Sequence, residues 1–231
     1  MQRFSAQQIL VLALVAFLFL YQAAPGLLRD PELLLVRVVA IILAITVHEF
    51  NHAFVAYLLG DMTAKHQGRL SLNPLRHLDP MGTVLLFIAQ FGWGKPVPYV
   101  PSNLRVNPAL GSALVSLAGP LANVLLAMVL FTPFRSPVLG EMVNRSIVRD
   151  LLAVNVGLAA FNLIPIPPLD GYGVVSAVFP RQFEPLLRIL REYGLFILMA
   201  LLFLPSFGGP DVIGSIMGPL QRFILALVTW R

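Results

Sequence analysis

His48-Glu49-Phe50-Asn51-His52 stands inside an apolar run, Leu33–Leu59, that is long enough to cross a bilayer. Ionisable side chains within a spanning segment cost roughly 2.5 to 3.5 kcal/mol each on insertion scales, so three of them on adjoining turns need a compensating partner. On an α-helix, positions i and i+4 lie one turn apart on the same face. His48 and His52 can therefore offer two imidazoles to one Zn²⁺, with Glu49 beside them to activate a water whose pKa falls to about 7 on a catalytic zinc. The bland alternative is a hydrogen-bonded core cluster without metal.

Tetrahedral catalytic zinc normally takes three protein ligands, so a third must come from elsewhere in the chain. With no cysteine present, it has to be nitrogen or oxygen. Asp30, Asp61, Asp79, Asp150 and Asp211 border loops or the ends of apolar stretches, whereas Asp170 follows the hydrophobic stretch Leu151–Leu163. It closes the segment Asn162-Leu163-Ile164-Pro165-Ile166-Pro167-Pro168-Leu169-Asp170-Gly171. The prolines remove backbone donors, and non-helical backbone at membrane depth survives only when it is buried in protein or lines a wet cavity. Asp170 is thus expected to face the interior. The alternative is a helix cap followed by a surface turn at Gly171.

Composition places the whole chain in a membrane: 58% of residues are apolar and 12% charged, against about 25% charged in soluble domains. The expected architecture is an all-α polytopic membrane protein forming one domain over residues 1–231. It has about six spans, at 6–22, 33–59, 109–131, 148–169, 186–204 and 212–229. The apolar stretch 81–91 is too short to span. It reads as a re-entrant or interfacial element within 65–101, between the second and third spans, with short extended flanks at Lys65–Leu72 and Lys95–Pro101; a plain cytoplasmic loop is the alternative. Residues 1–24 also have the make-up of a secretory signal peptide, although a retained helix is favoured.

Together these stretches resemble the site-2 protease family of intramembrane zinc metalloproteases. The resemblance runs over about residues 33–180. It is carried by His48-Glu49-Phe50-Asn51-His52 and Leu169-Asp170-Gly171, with Gly68-Arg69-Leu70-Ser71-Leu72-Asn73-Pro74-Leu75, Asp79-Pro80, Gly92-Trp93-Gly94-Lys95-Pro96-Val97-Pro98 and Ala118-Gly119-Pro120-Leu121-Ala122-Asn123 in support. It implies His48, His52 and Asp170 as ligands of one zinc and Glu49 as general base. It further implies that Asn162, Pro165 and Pro168 contact an unwound substrate segment and that Asn123 lines the site. With no PDZ-like insertion between the motifs and no CBS domain after the last helix, the chain resembles a minimal member.

The expected activity is hydrolysis of peptide bonds in single-span membrane proteins or peptides, in regulated intramembrane proteolysis or in clearance of membrane remnants. The positive-inside rule sets the orientation. With the N-terminus in the cytosol, Arg3, Lys65, Arg69, Arg76, Lys95, Arg105, Arg181, Arg188, Arg191 and Arg231 fall inside. Arg29, Arg37, Arg135, Arg145 and Arg149 fall outside. Both termini and the approach to the zinc are then cytoplasmic, in the plasma membrane. The net charge of +5 is scattered over short loops, which suits anionic lipid and excludes a nucleic-acid face. A homo-oligomer is left open. An ion transporter would give Glu49 no required role, and a catalytically dead scaffold has no need of intact His48, Glu49, His52 and Asp170.

Overall fold

The structure is a computed structural model that describes residues 31–79, 82, 94–135, 145–179 and 181–230. Seven α-helices occur among the described residues: α1 Pro31–Leu58, α2 Thr63–His66, α3 Pro108–Phe131, α4 Arg145–Asn162, α5 Asp170–Val178, α6 Glu184–Phe203 and α7 Val212–Thr229. The stretches 35–58, 108–134 and 212–229 are long and apolar enough to cross a membrane.

Two further helices cover expected spans but are interrupted by polar groups. Arg149, Asp150 and Asn155 lie in α4, and Glu184, Arg188, Arg191 and Glu192 lie in α6. The first expected span, 6–22, and nearly all of 81–91 lie outside the described residues.

The hub is α3, which packs against α1, α4, α5 and α7. Its sequence explains why. Gly111, Ala113, Ser116, Ala118, Gly119, Ala122 and Ala127 are buried, while Leu110, Leu121, Leu125 and Val129 are exposed. Small residues inward and large apolar residues outward invert the pattern of a water-soluble helix. They suit a helix whose neighbours approach closely and whose outer face meets lipid. The start of α3 is set by Asn107, whose Oδ1 accepts from Ala109 N at 3.0 Å and Leu110 N at 3.3 Å, and by Pro108 in the first turn.

Past α1 the chain turns at Gly60, whose φ of +106° favours glycine. Asp61, fully buried, ties this corner to the start of the 100–103 turn. It accepts from Thr63 N at 3.0 Å, Thr63 Oγ1 at 2.6 Å, Val100 N at 2.7 Å and Asn103 Nδ2 at 3.1 Å.

The expected extended flanks are corrected here. Lys65 belongs to the helical turn α2, and no strand occurs among the described residues. Residues 95–100 are irregular, and the one β-bridge among the described residues, antiparallel, pairs Leu78 with Gly94 just before them. Pro96 and Pro98 lack the N–H groups a ladder needs, and Arg69 already takes the carbonyls of Lys95 and Pro96.

A second correction concerns the span expected at 148–169. Helix α4 stops at Asn162, and residues 163–169 form a chain of tight turns up to Asp170. Pro165, Pro167 and Pro168 cannot donate to a continuing helix. Ile164 and Leu169 anchor the turns in an apolar cluster with Leu198 and Ile213. Gly171 lets α5 start directly on this segment, since a Cβ there would lie 2.5 to 2.6 Å from Leu163 C and Ile164 O.

Candidate metal centre

His48, Glu49 and His52 lie in the second half of α1 and are all buried, with 5%, 8% and 7% of their surface exposed. The i, i+4 spacing stacks the two imidazoles edge to face, with ring centroids 4.6 Å apart. Each ring is oriented from behind by an oxygen on α3. His48 Nδ1 lies 2.7 Å from Asn123 Oδ1, and His52 Nδ1 lies 2.6 Å from the carbonyl of Val115. Neither oxygen has a proton to give, so each Nδ1 donates and each Nε2 keeps its lone pair.

Both lone pairs meet the carboxylate of Asp170. Its Oδ2 is 3.0 Å from His48 Nε2 and 3.3 Å from His52 Nε2, and one ligand atom from each of the three residues falls within 4.8 Å of the others. Asp170 stands in the first turn of α5, with Leu169 in the cap position, so its carboxylate is free to reach across to α1. Two imidazole nitrogens and one carboxylate oxygen, all acceptors, therefore converge in a buried place. Asp170 Oδ2 has no hydrogen-bond donor in this arrangement. Three buried acceptors facing one another can hold a cation between them. The N₂O set suits zinc with one coordination position left for another group. Gly119 of α3 completes the cradle. A Cβ there would come within 2.6 Å of His48 Cε1 and 2.7 Å of His48 Nε2, and would also strike His52 Nε2.

Glu49, next to His48 but turned about 100° around the helix, stands beside this group. Its Oε2 is buried without a partner, and its Oε1 is 3.0 Å from where a Gly94 Cβ would be. Gly94 thus allows the 94–100 segment to pass against the carboxylate. That segment is held by Lys95 N donating to His77 O at 2.7 Å and by the Arg69 guanidinium donating to Pro96 O at 3.2 Å and to Lys95 O. Arg69 and fully buried His77 both feel the charge of Glu49. Burial pushes the Arg69 pKa down while Glu49 works against it. Burial also lowers the pKa of His77; the Ser71 carbonyl opposes this, Arg69 adds to it, and Glu49 again opposes.

The four residues open onto a cavity of about 960 Å³. Gly94, Pro96, Val97 and Tyr99 line it beside the acid groups. Ile41, Ile45, Leu158, Phe161, Leu195, Leu198, Leu202, Ile213 and Met217 give it an apolar wall. Among the residues expected at the substrate, Asn162 and Pro168 line this cavity, with the Asn162 amide donating to Leu158 O at 3.0 Å. Pro165 is exposed and lies off its wall, because the tight turns after α4 carry it outward. Asn123 is fully buried and sits behind His48 rather than on the wall.

Sequence reasoning assigned no role to Gly119, Gly94 and Arg69, although each lies in a stretch that carries the resemblance, and it missed Asn155 altogether. Asn155 carried a usable signal, being a polar side chain in the interior of an apolar helix. The glycines carried only their place in those stretches, since what they spare is visible once the helices are packed.

No family model matches the chain, and no solved structure does. Among known proteins, the "Putative zinc metalloprotease YwhC" of Bacillus subtilis is 39% identical over 179 residues, covering 74% of this chain and 81% of that protein. The protein called Rip2 in Mycolicibacterium smegmatis, described in the same words, is 33% identical over 195 residues, covering 82% of this chain and 70% of its own length. Rip2 of Mycobacterium tuberculosis is 32% identical over 174 residues.

Proposed function

The chain belongs to the site-2 protease family of zinc metalloproteases, and from that premise we propose that it is an intramembrane endopeptidase that hydrolyses peptide bonds of membrane-spanning substrates. The observation that carries this reading is the meeting of Asp170 with His48 and His52 at one end of a cavity whose remaining wall is largely apolar. A soluble peptide needs no such wall; an apolar segment taken from the bilayer does.

In this reading His48 Nε2, His52 Nε2 and Asp170 Oδ2 hold one zinc per chain. When bound, zinc supplies Lewis-acid polarisation of the scissile carbonyl and lowers the pKa of the attacking water. Glu49 takes a proton from that water on Oε2 and delivers it to the leaving amide nitrogen, so that one peptide bond and one water become a carboxylic acid and an amine. Asn123 and Val115 keep both imidazoles in the Nδ1–H form throughout. The substrate must be locally unwound, because in a helix its carbonyls are bonded and shielded. Asn162 and Pro168 offer it an irregular surface on the cavity wall, with Pro165 on the exposed side of the same turns.

The architecture we propose is a single membrane domain of six spans with a short re-entrant element between the second and third. Both termini and the approach to the zinc are cytoplasmic, in the plasma membrane. The physiological roles that fit are regulated intramembrane proteolysis and the clearance of membrane remnants. The test is purified protein in liposomes with a single-span substrate, comparing wild type with Glu49→Gln. Equal cleavage of an extramembrane peptide and no cleavage of the embedded substrate would overturn the intramembrane reading.

A further inference from the structure

Asn155 plays no part in the chemistry above, yet it is fully buried on α4. Its amide nitrogen donates to Leu151 O, one turn back on its own helix, at 2.8 Å. That carbonyl can only accept, so the bond turns the Oδ1 end of Asn155 away from α4. Oδ1 accepts from Asn123 Nδ2 at 3.0 Å, and the same Nδ2 also donates to Ala44 O at 3.0 Å. With both protons of Nδ2 taken, Asn123 presents its Oδ1 to His48 Nδ1 at 2.7 Å. The proton of His48 is then held on Nδ1, and its Nε2 lone pair faces Asp170.

We propose that Asn155 is a positioning residue for the metal centre. It acts through Asn123 to fix the tautomer and aim of His48, so that one relay runs from α4 through an α3 side chain to a ligand on α1. This rests on His48 being a zinc ligand, as proposed above. Without Asn155, one proton of Asn123 Nδ2 is buried without an acceptor, and Ala44 O alone must hold the amide. Substitutions in the shell behind a ligand typically weaken metal binding 10- to 100-fold, and one step further out a loss of about tenfold is expected.

The experiment is zinc affinity by chelator competition on the full-length protein in detergent, for wild type, Asn155→Leu, Asn123→Ala and the double variant. Asn155→Leu should weaken zinc about tenfold in the wild-type background and have little effect once Asn123 is alanine. Additive losses, or no loss in Asn155→Leu, overturn the relay, because a residue that merely packs helices would add its effect in either background. Asn155→Asp, isosteric and neutral in apolar surroundings, keeps one donor and one acceptor and should restore near-wild-type affinity; a loss as large as that of leucine counts against the proposal. Should Asn155→Leu not fold, the zinc-loaded wild type decides. A nuclear Overhauser contact between the two side-chain amides and slow exchange of the Asn123 amide protons support the relay, and their absence sinks it. His48→Ala in the same assay separates the two readings. Wild-type zinc affinity in that variant removes the ligand set, whereas loss there with none in Asn155→Leu removes only the relay.

Discussion

Asp170 Oδ2 lies 3.0 Å from His48 Nε2 although Asp170 begins α5 and His48 lies within the second half of α1, with α2, α3 and α4 between them in sequence. The contact exists because the proline-rich turns after Asn162 and the missing Cβ of Gly171 bring the start of α5 down onto the bundle. Zinc binding should therefore depend equally on both sides of that contact. His48→Ala, His52→Ala and Asp170→Ala should each lower zinc affinity by at least about tenfold, read by metal analysis after chelator challenge. Full zinc retention in Asp170→Ala would remove Asp170 from the ligand set.

Glu49 stands beside the convergent acceptors rather than among them, so its chemistry separates from metal binding. Glu49→Gln keeps the shape and removes the base. Zinc content and thermal unfolding should stay near wild type while cleavage of an embedded substrate falls by about 10²- to 10⁴-fold. Near-normal turnover by the zinc-loaded variant would exclude Glu49 as the base.

At Gly119 the prediction concerns space. Alanine would press a methyl group against both imidazoles, 2.6 Å from His48 Cε1. The rings must move or α3 must retreat, so Gly119→Ala should lower zinc affinity and cost about 1 to 3 kcal/mol of stability, typical of an overpacked site. Isothermal titration with zinc and a melting curve read the two effects. Unchanged zinc binding would show that the rings can shift without loss.

Stability at acid pH should report on Asp61, which lies beyond the end of α1. Burial works to raise its pKa, but the hydrogen bonds from Thr63, Val100 and Asn103 outweigh that and hold it below the usual carboxylate value. A carboxyl group whose folded pKa is depressed contributes stability above its unfolded pKa of about 3.9, and that contribution disappears as pH falls through the folded value. Asp61→Asn should cost about 1 to 3 kcal/mol at pH 7. The gap from wild type should narrow as pH drops below about 4. Denaturant unfolding at pH 7 and pH 3 measures it, and a gap that stays constant would mean that Asp61 does not titrate this corner.

Much of the site was legible in the chain because its signals are local. His48 and His52 are one helical turn apart, so the motif alone places two imidazoles on one face. Asp170 was reachable because three prolines in the residues before it make a helix impossible there. The expected strand flanks failed for a reason equally local but overlooked: Pro96 and Pro98 cannot serve a ladder, and Lys65 sits in a four-residue helix.

The chain by itself determined the apolar character, the helix start at Pro108, the break in helical structure within the proline-rich segment before Asp170, and the pair of histidines with their neighbouring carboxylate. These follow from side-chain chemistry and hydrogen bonding within a few residues of the position concerned. Only the tertiary structure decided that Asn123 backs His48, that Asn155 backs Asn123, that Gly119 makes room beside the two imidazoles and Gly94 beside the Glu49 carboxylate, and that Asp170 lies against both imidazoles. Those relationships join helices far apart in sequence at distances of about 3 Å. Helix periodicity tells which face a residue occupies but not which neighbour that face meets, and it is the close approach of α1, α3 and α4 through their small residues that makes the choice.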